Sequence, residues 1–315
     1  MNIRIARRIA ALTPLLRRVD RVEYLRKGYS TDKKYILWED DAPRYLLRLA
    51  DIALSERRKA DFEMLSRHFE RDVLCPQPFA FGVVDSTKVC YSLLSYLPGE
   101  NAEEALPKLP ETQQFAIGFV AGLELLKLHE VRHPDKDFDW PKRRMTKYLR
   151  YVERARELDL AFAGQEEVED YVDANLDLLG KVPVRFQHDD YHAANLIVHD
   201  GRFEGVVDFN RFDWGDPVED FYKLPWFSRP VSTSFARGQV QGYLSRGAPR
   251  EFWRRYNLYV AMSLHGSLVW AQQLYPRQLG MFRRRIKEIL DTHDFRSSGP
   301  PTWCEEQIVG KHPLF

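Results

Sequence analysis

From Val22 to about Leu97, apolar and polar positions alternate in short runs, and turn residues break the runs apart. "VEYL", "KKYILWED" and "PRYLLRLAD" read as strands joined by the turn-like "KGYSTD" and "EDDAP". A helix is expected from Ser55, taken as its N-cap, through "ERRKADFEMLSRHF", and two further strands, "FAFGVV" and "KVCYSLLSYL", follow it. This part reads as a small, mostly antiparallel sheet carrying one helix. Ahead of it, Ile5, Ile9, Leu12 and Leu16 recur at roughly helical spacing among basic residues. No unbroken apolar region follows them, which predicts an ordinary amphipathic helix and not a signal segment.

After "PGEN" the spacing becomes helical, over 111–130, 141–160 and 165–180 and again from about 217 to 290. Phe115, Phe119, Leu123 and Leu126 supply the apolar stripe of the first of these helices. Between the helical blocks lie "VPVRF", "NLIVHDG" and "FEGVVDF", a short β insert with a hairpin signal at Asp200-Gly201. The pattern predicts an α+β chain. A strand-rich N-lobe covers residues 1–97, a linker lies near 95–100, and a larger helical C-lobe with an embedded β-hairpin covers 98–315.

Composition narrows the possibilities without naming one. The 315 residues, 44% hydrophobic and 30% charged, suffice for one large two-lobed domain or two small ones. Basic and acidic residues number 47 and 46, a balance that argues against nucleic acid as the main partner. Cys75, Cys90 and Cys304 are scattered and odd in number, so neither a disulfide framework nor a C-x-x-C metal site is expected, and a cytoplasmic setting is. No run approaches the ~18 apolar residues of a membrane span, so no membrane partner is expected either. A monomer or dimer is expected.

One segment carries candidate chemistry. In "VPVRFQHDDYHAANLIVH" the residues His188, Asp189, Asp190, His192 and Asn195 crowd between two strand-like runs. Asp190 and Asn195 keep the register of the protein-kinase catalytic loop, H-R-D-x-x-x-x-N, whose Asp meets the attacked hydroxyl and whose Asn holds magnesium. Asp208, at the end of the next strand, supplies the second metal-binding carboxylate that such a loop requires. Mg²⁺ prefers oxygen ligands and takes one or two carboxylates beside phosphate oxygens and water, which suits Asp208 with the Asn195 amide. A His-Asp phosphohydrolase site would draw its ligands from helices, whereas this cluster lies between strands.

The longer segment "HDDYHAANLIVHDGRFEGVVDFNRFDWGDPVED" resembles the aminoglycoside phosphotransferase and choline kinase-like family, whose loop usually reads H-G-D-x-H-x-x-N. The match is strong over 185–222 and rests on architecture elsewhere. The resemblance implies a two-lobed protein kinase-like fold with a nucleotide-binding N-lobe and a C-lobe holding catalytic loop, metal and acceptor sites. It implies Asp190 as the catalytic residue, Asn195 and Asp208 as magnesium ligands, and His188 and His192 as shapers of the loop. Gly215-Asp216-Pro217 and Asp220 would brace that loop. Asp189 stands where the family usually has Gly; a positive φ there is one that Asp tolerates better than most residues.

A kinase of this kind also needs groups for its nucleotide, ATP or GTP. The loop Arg26-Lys27-Gly28-Tyr29-Ser30-Thr31 can cover phosphates through its backbone, with Ser30 among the contacts. Arg48 stands where a phosphate-binding Lys or Arg belongs, and the following helix offers Asp61 or Glu63 as its partner. Backbone groups at Ser95 and Leu97 would read adenine. On the acceptor side Asp213, Glu219, Glu288, Asp291, Asp294, Glu305 and Glu306 would suit a cationic hydroxylated compound of the aminoglycoside type. The dense aromatics there, Phe212, Trp214 and Phe227 among them, would instead suit a choline-like acceptor. The expected activity is Mg²⁺-dependent phosphorylation of a small-molecule hydroxyl. The alternatives are another small alcohol, such as an amino alcohol or a peptide antibiotic, and a nucleotide-binding module without transfer activity.

Overall fold

The computed structural model describes residues 3–26, 31–296 and 299–305. Contacts divide the chain into two compact units. One holds the residues up to Ala105 together with Asn195–Arg211; the other holds Leu106–Ala194 and the residues from Phe212 on.

In the first unit the alternating segments form strands β1 (Arg21–Leu25), β2 (Lys33–Glu39), β3 (Ala42–Asp51), β4 (Pro78–Val84) and β5 (Val89–Ser95). They pair antiparallel in the order β1-β2-β3-β5-β4. Because successive side chains leave a strand on opposite faces, Tyr35, Leu37, Leu47, Leu49 and Leu93 share one core. Helix α1 (Ile3–Leu12) closes that core with Ala6, Ile9 and Ala10, so the amphipathic N-terminal pattern ends as a packed helix. Each leucine sealed this way contributes ~1.5–3 kcal/mol. Asp40 and Asp41, at φ 52° and 59°, make the tight β2–β3 turn, a conformation Asp adopts at little cost.

Helix α2 (Ser55–Phe69) begins at Ser55, but Ser55 is not its cap. The chain enters through a 3₁₀ turn, Ile52–Leu54, whose first N–H groups are met by Asp51 accepting from Ala53 N. Ser55 thus already has helical geometry when the α-helix starts.

The first unit also holds a second sheet, β6 (Glu100–Asn101), β8 (Leu196–His199) and β9 (Arg202–Val206), beside the short helix α3 (Ala102–Ala105). Asp200 and Gly201 turn the β8–β9 hairpin, both with positive φ. The hairpin is tied to N-terminal segments: β6 pairs with β8, and Val206 N–H donates to the Leu74 carbonyl at 2.9 Å. Gly99 makes this approach possible, since at φ +109° a Cβ would lie 2.2 Å from the Val198 oxygen. The boundary read at residue 97 therefore differs from the contact units: the β6–β8 ladder joins Glu100 and Asn101 to the hairpin, and contacts group both with the N-terminal residues.

In the second unit β7 (Arg185–Gln187) pairs with β10 (Asp213–Gly215), a three-residue strand without a sequence signal, and the three-strand insert is split accordingly. The helices are α4 (Glu111–Leu128), α5 (Trp140–Glu157), α6 (Gln165–Ala174), α7 (Thr233–Leu244), α8 (Phe252–Leu274), α9 (Leu279–Thr292) and the short α10 (Thr302–Glu305). The pattern read as helix over 165–180 ends early at Ala174 and continues as a 3₁₀ turn, Leu176–Lys181. The stretch from 217 opens with a 3₁₀ segment, Pro217–Tyr222, and a π turn, Leu224–Ser228.

The buried face of α4 is Ile117, Gly118, Ala121, Gly122, Leu125 and Leu128, whereas Phe115, Phe119, Leu123 and Leu126 are only half-buried. The reason is a backbone-to-backbone crossing with α7. A Cβ on Gly118 would sit 2.1 Å from the Phe235 carbonyl oxygen, and one on Gly242 2.0 Å from that of Phe119. Only glycines fit at the contact, so the large residues of α4 are displaced to its flanks. All three cysteines are buried and outside any disulfide, and among the described residues no helix is long and apolar enough to cross a membrane.

Candidate active site

The helical unit holds the loop that follows β7. Asp189 takes φ +57°, the left-handed conformation that Asp accepts where Gly is more usual. The backbone N–H groups of His188 and Asp189 each donate to one oxygen of Asp220, both at 2.8 Å. Asp220 is itself held by His129, whose Nε2 lies 3.1 Å away and whose Nδ1 lies 2.9 Å from the Tyr243 hydroxyl. His129 caps α4 and Tyr243 belongs to α7, so the glycine crossing of these helices fixes the carboxylate that fixes the loop. Further along, Tyr191 OH donates to the Ala121 carbonyl at 2.7 Å and Ala193 N–H to Ser228 Oγ at 3.2 Å.

Asp190 Oδ1 has two cationic or protonatable neighbours, Lys223 Nζ and His192 Nε2, each at 3.2 Å. Lys147 stands 4.0 Å from Asp189, whose charge raises the Lys147 amine above its ordinary range. Below the loop, Asp216 caps the 3₁₀ segment by accepting from Val218 N and receives Arg255 at 2.8 Å and Tyr259 OH at 2.8 Å. Burial pushes the Asp216 carboxyl up, and Arg255 opposes that shift. His188 and Asp216 are both fully buried.

The acidic residues expected on the acceptor side are engaged by the protein's own cations or backbone. Asp213 is bound by Arg143 at 2.6 Å, and buried Glu219 by Arg144 at 2.7 Å and by Gln187 at 2.9 Å. Asp291 pairs with Lys287 and Glu288 with Arg285, both at 2.8 Å, and Asp294 accepts from Arg296 N at 2.9 Å. Glu306 lies outside the described residues, as does the Glu305 side chain.

In the other unit the β8–β9 register decides which oxygen donors meet. Leu196 stands opposite Val206, and Val207 N–H donates to the Asn195 carbonyl at 2.9 Å, so Asn195 and Asp208 bracket one end of the hairpin. Asp208 has φ +71°, and its Oδ1 accepts from Asn210 Nδ2 at 2.5 Å. Helix α2 secures this segment: Arg57 donates to the Asn210 carbonyl at 3.0 Å, and His68 lies 5.7 Å from the ring of buried Phe209. A carboxylate and a carboxamide at one hairpin end form a hard-oxygen donor set that fits Mg²⁺ completed by phosphate and water.

Among the described residues Arg48 makes its ion pair with Asp32 and not with helix α2. Asp32 holds Arg48 at 3.0 Å through Oδ2 and holds Arg58 at 2.9 Å through Oδ1. Arg58 then reaches Asp61 at 2.9 Å, while exposed Glu63 pairs with Lys59, at 3.7 Å. The cause is strand geometry. Lys34 lies opposite Arg48 in the β2–β3 ladder, and Asp32, just ahead of β2, reaches Arg48 from the same end of the strand. Burial lowers the Lys34 amine pKa, and so does neighbouring Arg48, while Asp208 and Asp32 act in the opposite direction.

Ser95 commits its N–H to the Gln77 carbonyl and its Oγ to the Gln77 N–H, both at 2.8 Å. Its N–H is therefore not a donor for adenine. Ser30 and the rest of 27–30 lie outside the described residues.

Sequence reasoning passed over Asp32, Arg58, Lys147 and Lys223. The one usable signal was Lys223 itself, a lone cation in the apolar run "FYKLPWF", where burial demands a carboxylate partner.

No curated protein matches the sequence. In fold it is similar to the aminoglycoside phosphotransferase APH(2")-IIa in its gentamicin complex, at 18% identity and a TM-score of 0.62 over 93% of this chain and 97% of that one. It is likewise similar to a choline/ethanolamine kinase family protein from Mesorhizobium loti, at 18% identity and a TM-score of 0.60, covering 94% and 97% of the two chains. The amicoumacin kinase hAmiN, solved with AMP-PNP, Ca²⁺ and Ami, gives 17% identity and a TM-score of 0.61 over the same shares. These likenesses establish the α+β, protein kinase-like fold. The model of the family described as "Phosphotransferase enzyme family" (APH) matches residues 21–259, from the start of β1 into α8, and the chain belongs to that family.

Proposed function

We propose that this chain transfers the terminal phosphoryl group of a nucleoside triphosphate, ATP or GTP, to a hydroxyl of a small molecule in a Mg²⁺-dependent reaction. The observation that carries the reading is the tethering of the His188 and Asp189 N–H groups by Asp220 in a chain of this family, which fixes the loop up to Asp190. In this reading Asp190 orients the acceptor hydroxyl and takes its proton as the phosphoryl group moves. Asn195 and Asp208 hold the metal, which when bound neutralises charge developing on the phosphate oxygens. Arg48 contacts phosphate, its guanidinium steadied by Asp32, and adenine is read by backbone groups at Leu97 and the Ser95 carbonyl. Residues up to Ala105 serve the nucleotide, and the helical unit serves the acceptor.

For the acceptor we favour a cationic hydroxylated compound of the aminoglycoside type, supported by solved neighbours that bind gentamicin and streptomycin. Glu219 is buried against Arg144 and is not among the carboxylates that would meet it. A screen of Mg·ATP consumption against aminoglycosides, peptide antibiotics, choline and amino alcohols tests both levels, with the product identified by the added phosphate mass. Asp190→Ala should abolish product by ~10³-fold or more while nucleotide affinity stays within about threefold. Undiminished product in that variant would remove Asp190 from the mechanism. Turnover confined to uncharged acceptors would exclude the aminoglycoside class.

A further inference from the structure

The π turn at Leu224–Ser228 sits at an unusual place. It closes with Arg229 N–H on the Leu224 carbonyl at 2.9 Å, a five-residue step that regular helices do not make. Such turns are rare and concentrate at functional sites. Here the residues on and just before the turn meet three residues of the loop after β7. Lys223 reaches Asp190, the Phe227 ring lies 4.9 Å from the His192 ring, and Ser228 Oγ accepts from Ala193 N–H.

Lys223 is only 8% exposed, a rare state for an ammonium group without an anionic partner. Its Nζ lies 5.0 Å from the centre of the Tyr222 ring and 5.6 Å from that of Phe227, so aromatic faces and the Asp190 carboxylate surround it. Burial works against its charge, yet Tyr222, Asp190 and Asp189 outweigh burial, and the amine stays protonated well above its ordinary pKa. The charged groups facing it are thus Asp189 and Asp190, with His192 on the same Asp190 oxygen and Lys147 beyond, on Asp189.

We propose that Lys223 is a positioning residue for Asp190: the π turn delivers a buried ammonium to Oδ1, fixing the carboxylate's orientation for the acceptor hydroxyl. This rests on the reading of Asp190 given above. A carboxylate so paired is held in a definite direction. That suits phosphoryl transfer, whose loose transition state asks more for orientation of the nucleophile than for early removal of its proton.

The test reads ADP release from Mg·ATP, with the acceptor that the screen identifies and with water as acceptor, beside the affinity for Mg·ATP. Lys223→Met should lower kcat ~10²-fold, the scale of a small misplacement of a reacting group, and leave Mg·ATP affinity within twofold. Lys223→Arg, which keeps the charge, should recover at least tenfold of that loss. Because an unpaired Asp190 could impair folding of Lys223→Met, the double variant Asp190→Asn/Lys223→Met removes both charges. Its kcat should equal that of Asp190→Asn alone, since a residue acting through Asp190 has nothing left to act on. Additive losses in this cycle, a Lys223→Met kcat within twofold of the parent, or a folded Lys223→Arg no better than Met would each overturn the proposal. A parent that releases no ADP with any acceptor sinks the proposed function itself and this inference with it, an outcome distinct from an active parent indifferent to Lys223.

Discussion

Arg48 and Asp32 form a partly buried ion pair in which one buried carboxylate serves two guanidiniums, Oδ2 holding Arg48 at 3.0 Å and Oδ1 holding Arg58 at 2.9 Å. The Asp32 side chain is 1% exposed. Its removal would leave two cations close together with little water to screen them. Asp32→Asn should therefore destabilise the fold by ~3 kcal/mol, the cost of breaking a buried pair from one side. Urea unfolding measures it, and a loss under about 0.5 kcal/mol would show that solvent reaches these guanidiniums after all.

Asp208 and Asn195 are brought together by the hairpin register, which rests on backbone bonds. Asp208→Asn should leave the fold intact and weaken Mg·ATP binding by ~10-fold or more, as read by calorimetry. Equal binding by variant and parent would mean that the metal is held elsewhere.

Asp220 is buried, accepts from two backbone N–H groups and lies against buried His129. In Asp220→Asn an NH₂ must face one of those N–H donors. The expected cost is ~2–4 kcal/mol, one charge-assisted bond lost and one buried donor unmet. Amide exchange at His188 and Asp189 should accelerate with it. Unchanged exchange there would show that the loop holds its shape without this carboxylate.

His293 gives the fold an acid limit. It is buried with Nε2 3.0 Å from the Tyr256 hydroxyl and Nδ1 2.9 Å from the Ile289 carbonyl, and burial lowers its pKa to about 4. The unfolded chain, with an imidazole pKa near 6.5, binds the proton first as pH falls. Stability present above about pH 6.5 is therefore lost progressively down to about pH 4, by roughly 3 kcal/mol in all. In His293→Gln that slope should disappear from unfolding free energies measured across this range; an identical slope would assign the acid sensitivity to other groups.

The sequence alone determined the elements whose cause is local. Period-two alternation made the five-stranded sheet, an Asp-Asp pair made its tight turn, and Asp200-Gly201 made the hairpin, because side-chain direction and φ preference act within a few residues. It also put Asp190, Asn195 and Asp208 in the register that raised phosphoryl transfer as a possibility, since that spacing lies along one short stretch of chain. What the tertiary structure decided were the partners. Arg48 took Asp32 and not Asp61 or Glu63 as its ion-pair partner, because packing and not sequence distance sets which charges meet. The buried stripe of α4 moved off its phenylalanines because α7 approaches to backbone contact at four glycines. Lys223 reached Asp190 through a π turn, thirty-three residues away along the chain, where no local propensity announces an i→i+5 closure. Ion pairs and close crossings depend on which distant segments meet, and that is fixed only once the whole core has packed.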